Sequence, residues 1–186
     1  MKVIKSDIEG VVIIEPELFN DQRGYFYEAF SEREFCEKVC DTHFVQDNES
    51  RSSYGVIRGL HLQKPPHAQS KLVRVTKGRI LDIAVDVRHG SPTFGRYVAV
   101  ELSEENHRQC FIPRGFAHGF AVLSEEAVVQ YKCDNYYAPQ SECAVAWNDT
   151  SIGVDWMLPQ SDIVLSDKDK SNPPLSALEP LFSDND

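Results

Sequence analysis

Apolar and polar residues alternate in short runs along most of this chain. Lys71, Val73 and Val75 share one face of a run over 71–75. Leu81, Ile83, Val85 and Val87 face one way, while Ile80, Asp82, Ala84 and Asp86 face the other. Val98, Val100 and Leu102 alternate with Tyr97, Ala99 and Glu101. Phe116, His118, Phe120 and Val122 form a further row, as do Val129 with Tyr131 and Val145 with Trp147. A period of two marks half-buried strands. Turn signals separate the runs: Lys77-Gly78, His89-Gly90-Ser91-Pro92, Ser103-Glu104-Glu105-Asn106 and Ala138-Pro139. The pattern predicts an all-β antiparallel sandwich or barrel. One helix stands out, because Ser31 and Glu34 form a capping box and Phe35 and Val39 then share a face. From about residue 171, Pro173, Pro174, Pro180 and a polar end predict a surface extension. No repeat or linker divides 1–186, which therefore reads as a single domain.

Composition narrows the function. The chain has 186 residues, 41% hydrophobic and 26% charged, with a net charge of −10. These are globular values, and the length can bury a full core. An acidic balance argues against a general nucleic-acid binder, which needs a basic face. It leaves room for a small anionic ligand held by a few cations. The longest apolar run near the N-terminus, Val11 to Ile14, is too short for a signal peptide or a membrane span. The expectation is a cytoplasmic protein without membrane contact. Cys36, Cys40, Cys110, Cys133 and Cys143 are odd in number and scattered, which fits free thiols rather than a disulfide framework.

Candidate chemistry gathers on a few strands. His61 falls in Gly55-Val56-Ile57-Arg58-Gly59-Leu60-His61-Leu62-Gln63, where alternation groups Ile57, Gly59, His61 and Gln63. His118 sits between Phe116 and Phe120, an apolar setting that favours neutral imidazole. Each is either a core histidine or an acid–base group. Pro113-x-Gly115-x-x-His118 resembles the second metal motif of the cupins, but His61-x-Gln63 lacks the His-x-His and Glu of the first. Two histidines without a carboxylate make an incomplete metal site, even with His67 as a substitute from its loop. Lys71 shares a face with Val73 and Val75, where a cation suits a developing oxyanion. Tyr131 suits a general acid. Arg23 and Arg58 are forked donors for phosphate, and Tyr136 and Tyr137 offer faces for a base. Strict alternation sets Arg58 and His61 on opposite faces unless Gly59 carries a bulge.

Taken in order, the motifs resemble the dTDP-4-dehydrorhamnose 3,5-epimerases. Matching stretches are Asp21 to Glu28, Gln46-Asp47-Asn48, Arg58-Gly59-Leu60-His61, Lys71 to Val75 and Asp82 to Arg88. They continue through Ser91 to Gly95, Ile112 to Phe120, Tyr131-Lys132 and Leu165 to Asp169. The resemblance implies a cupin-type jelly roll, usually a homodimer, with neither metal nor redox cofactor. It implies His61 as proton acceptor paired with Asp169, Tyr131 as proton donor and Lys71 as enolate stabiliser. It implies substrate contacts from Arg23, Glu28, Gln46, Asp47, Asn48, Arg58, His118, Glu142 and Lys168, with Tyr137 stacking on thymine. The implied substrate is dTDP-4-dehydro-6-deoxy-D-glucose. Epimerases acting at C3 or C5 alone, metal-dependent cupin oxygenases or isomerases, and sugar-binding cupins are the alternatives.

Overall fold

Alternating faces assemble these strands into two antiparallel sheets. The computed structural model describes residues 1–182. Its strands are β1 (Lys2–Lys5), β2 (Val12–Glu15), β3 (Phe19–Asp21), β4 (Gly24–Phe26), β5 (Gln46–Ser53), β6 (Ile57–Gln63), β7 (Lys71–Lys77), β8 (Arg79–Asp86), β9 (Tyr97–Ser103), β10 (Gln109–Ile112), β11 (Phe116–Val122), β12 (Glu126–Cys133) and β13 (Glu142–Ala144). Helix α1 (Glu32–Lys38) precedes β5, and α2 (Asp167–Lys170) follows β13. One sheet has the order β1-β2-β10-β7-β12-β5 and the other β13-β6-β11-β8-β9, with β3-β4 as a separate hairpin. This is the cupin-type jelly roll. Among the described residues, no helix is long and apolar enough to cross a membrane.

The two faces of β8 divide the core. Ile80 and Ala84 pack between the sheets with Val73, Val75, Val100, Phe116, Phe120 and Val129. Leu81, Ile83, Val85 and Val87 pack on the outside of the second sheet, beneath Trp156, Leu175 and Phe182. Residues 171–182 therefore lie along the second sheet rather than standing off as a surface extension. Ala146 N–H donates to the Pro173 carbonyl at 2.7 Å, and His89 N–H to that of Phe182 at 2.9 Å. All five cysteines are free thiols.

Half of the expected capping box starts helix α1: Glu34 N–H donates to Ser31 Oγ at 3.4 Å, while the Glu34 carboxylate accepts from the Met1 amine at 3.0 Å and from Lys38 instead of closing back on Ser31. It buries Phe35 against Phe44 and Phe111, both at 5.3 Å between ring centroids. Phe35→Ala is expected to cost about 3–5 kcal/mol, the value for emptying an aromatic site. A denaturant midpoint unchanged by the substitution would contradict this packing account.

Strand β6 departs from strict alternation at Gly59. His118 pairs with His61, but Phe120 pairs with Arg58, so three steps on β6 oppose two on β11. One extra residue in a strand is a β-bulge. Gly59 has φ +131°, and a Cβ there would lie 2.5 Å from Gly119 Cα. Only glycine fits such an approach. The bulge corrects the grouping of Ile57 with His61: Ile57 joins the outer core with Leu60 and Leu62. Arg58 and His61 then line one cavity together.

Candidate active site

Between the sheets, the polar residues of the inward rows surround a cavity of about 550 Å³. Arg58 and His61 from β6, Lys71 from β7, His118 from β11, Tyr131 from β12 and Asp169 from α2 line it. A side lobe shares His61, Lys71 and Tyr131 and adds Gln46, Asn48, Tyr137 and Glu142.

Helix α2 fixes the partner of His61. Ser166 is its N-cap: Ser166 Oγ accepts from Asp169 N–H at 3.1 Å and donates to Asp169 Oδ2 at 2.9 Å. The other carboxylate oxygen meets His61 Nε2 at 2.6 Å. Asp169 is 4% exposed. Burial pushes His61 below its ordinary pKa and outweighs the opposing pull of Asp169. The ring is therefore neutral at pH 7 and free to take a proton.

Lys71 stands beside it without a carboxylate ion pair among the described residues. Its Nζ lies 5.9 Å from the Tyr131 ring centroid. Burial lowers its pKa, while negative charge potential at Cys133, Asp82 and Glu142 opposes that. Burial raises the Tyr131 phenol, so it stays protonated as a donor. Arg58 Nε donates to Ser52 Oγ at 3.0 Å, which aims the guanidinium along the cavity wall.

At the lobe, Glu142 accepts from Lys168 at 2.6 Å and from Tyr137 Oη at 3.1 Å. Burial raises its pKa, but these two bonds prevail and hold it below the usual carboxylate value. Gln46 Oε1 accepts from Tyr137 N–H at 2.9 Å, and its amide donates to Asn48 at 3.0 Å. Tyr137 is thereby tied at the lobe with an exposed ring, whereas Tyr136 faces solvent.

Three expected ligand residues lie elsewhere. Asp47 points to the opposite face of β5 and pairs with Lys132 at 2.7 Å. Arg23, in the β3–β4 turn, pairs with Asp21 at 2.5 Å and is largely exposed. Glu28 follows β4 on the surface. His61 and His118 face each other across the ladder, yet their Nε2 atoms go to different carboxylates, Asp169 and Asp82. His67 contributes only its carbonyl, to Gln63 at 2.6 Å.

Sequence reasoning missed four supporting residues. Ser166, three before Asp169, carries the usual N-cap spacing and was legible. Asp82 stood out as an acid in a row with Ile80 and Ala84. Ser52 and Gln63 carried no signal, because their roles depend on long-range contacts. Gln63 is 5% exposed and ties the 64–68 loop to the 136–138 loop.

Comparison with known proteins gives consistent matches. The family model for dTDP-4-dehydrorhamnose 3,5-epimerase matches residues 5–177. The Escherichia coli protein of that name is 52% identical over 173 residues, 91% of this chain and 92% of its own. A Legionella pneumophila dTDP-6-deoxy-D-glucose-3,5-epimerase, solved with dTDP-4-keto-L-rhamnose, superposes at a TM-score of 0.94. It is 45% identical and covers 98% of this chain and 97% of its own. A 3'-monoepimerase from Streptomyces bikiniensis, solved with dTDP-quinovose, superposes at 0.87 with 32% identity, covering 96% and 91%.

Proposed function

The chain belongs to the dTDP-4-dehydrorhamnose 3,5-epimerase family, and from that premise we propose how its cavity inverts two carbons of a nucleotide sugar. It is an isomerase that converts dTDP-4-dehydro-6-deoxy-D-glucose to dTDP-4-dehydro-L-rhamnose in dTDP-L-rhamnose biosynthesis. The C4 ketone acidifies the hydrogens on C3 and C5. Neutral His61 takes one of them through the ring nitrogen not engaged by Asp169, and Asp169 stabilises the resulting imidazolium. The electron pair moves onto the C4 oxygen, where the Lys71 ammonium meets the new charge. Tyr131 returns a proton to the opposite face and inverts the centre. Both C–H bonds break heterolytically, so the cycle balances without a redox partner. Arg58 and Lys168 serve the diphosphate, and Tyr137 offers its face to the thymine. The observation that carries this reading is the convergence of the His61–Asp169 pair, Lys71 and Tyr131 on one cavity.

Arg23 and Glu28 enter this account through a homodimer. Arg23 sits in the turn of the β3–β4 hairpin and Glu28 just after it, and on that hairpin Phe19, Tyr25 and Phe26 are 58%, 59% and 69% exposed. A second copy covering that surface would bury its aromatics and give Arg23 and Glu28 a cavity to serve. We further propose that this single jelly-roll domain works in the cytoplasm. Inversion at one carbon alone is the second reading, favoured by the shared fold of the monoepimerase.

Incubating the protein with the 4-keto sugar and trapping the product with a reductase tests the assignment. The expected product is the L-rhamnose nucleotide. Recovery of only a C3 or C5 epimer would replace it with the second reading. Tyr131→Phe separates the two half-reactions. Inversion is expected to fall by about 10²–10⁴-fold, while solvent exchange by retention persists. Equal rates of exchange and inversion to the unmodified protein would remove Tyr131 as the acid.

A further inference from the structure

Behind the cavity lies a second histidine–carboxylate pair that the mechanism above leaves without a task. His118 Nε2 meets Asp82 Oδ1 at 2.7 Å, with the two residues 7% and 1% exposed. They come from neighbouring strands, β11 and β8, so the sheet itself fixes their separation. His118 lines the cavity and Asp82 does not. Among the described residues, the hydrogen bond of the His118 ring is made by Nε2, and Nδ1 makes none. Asp82 Oδ2 is buried and accepts from no nitrogen or oxygen donor among the described residues, with the Cys110 thiol on β10 as the hydrogen-bond donor beside this carboxylate. In the first pair, by contrast, Ser166 satisfies the second oxygen of Asp169. The charge of Asp82 also reaches Lys71 on β7 and Cys110 on β10.

We propose that Asp82 is a positioning residue of the epimerisation: it holds the His118 proton on Nε2, leaving Nδ1 in the cavity as a hydrogen-bond acceptor for a sugar hydroxyl. A neutral imidazole has one donor and one acceptor nitrogen, and the bond made by one sets the role of the other. A carboxylate accepts only, so Nε2 must donate to it. The proposal rests on the nucleotide-sugar reading for its ligand, but the tautomer belongs to the protein alone.

Two variants and two readouts test it. In ¹⁵N-histidine-labelled protein, His118 is expected to show a protonated Nε2 and an unprotonated Nδ1. Asp82→Asn retains an acceptor oxygen and is expected to preserve that tautomer and KM. Asp82→Leu is expected to give mixed tautomers and a KM raised about threefold to tenfold, the worth of one hydrogen bond, with kcat nearly unchanged. A proton on Nδ1 in the unmodified protein overturns the proposal. So does an Asp82→Leu variant with unchanged tautomer and KM, or an Asp82→Asn variant as impaired as Asp82→Leu. The expected tautomers in a protein that does not turn over the 4-keto sugar would support the hold of Asp82 on His118 while overturning the reaction.

Discussion

His61→Ala is expected to lose deuterium incorporation from D₂O at the carbons flanking the ketone, with epimerisation falling by about 10²–10⁴-fold. His61 keeps 30% of its side-chain surface, all of its contact with Asp169 and a pKa pressed downward. A base must be unprotonated before it acts, so lowering its pKa extends activity into mild acid. The acid limb of kcat/KM should therefore lie below the ordinary histidine value of 6.5. Asp169 adds its effect after proton transfer, when the ring is positive. Removing His61 strands a buried carboxylate, so His61→Asn, which keeps a partner for Asp169, is the companion variant. It should be as inactive as the alanine variant while folding normally. Near-normal exchange in either would remove His61 from the chemistry.

Lys71→Met is expected to lower both exchange and inversion by about 10²–10³-fold, the loss found when one oxyanion donor is removed. Methionine keeps the length and apolar stem, so the change isolates the charge. Among the described residues, no carboxylate ion pair holds the ammonium. It is therefore available to the enolate oxygen, whose charge exceeds that of the ketone oxygen. A group that binds the transition state better than the ground state lowers the barrier. The contrast with Tyr131→Phe is diagnostic, since loss of Lys71 suppresses exchange itself. Exchange in Lys71→Met within a few-fold of the unmodified protein would contradict the role.

Much of this arrangement is written in the chain's periodicity. The alternation of 71–75, 80–87 and 116–122 places Lys71, Asp82 and His118 on the inward faces, as found. The Ser31 N-cap sets the start of α1. Periodicity fails at Gly59, because a bulge is a two-strand property and its partner, Gly119, lies 60 positions away. The positions of Arg58 and His61 in one cavity hang on that bulge. Asp169 shows the same limit: its spacing from Ser166 is local, but its contact with His61 spans 108 positions. Arg23, Glu28 and Asp47 mark the other boundary. Motif resemblance assigns them to the substrate, whereas within one chain they do not line the cavity or its side lobe.

The most direct test of the account follows hydrogen at the two carbons beside the ketone. The protein is incubated with dTDP-4-dehydro-6-deoxy-D-glucose in D₂O, and proton NMR is recorded as the reaction proceeds. The account predicts deuterium at both C3 and C5, with accumulation or reductive trapping of the L-sugar. Exchange at one carbon only, or at neither, would contradict it.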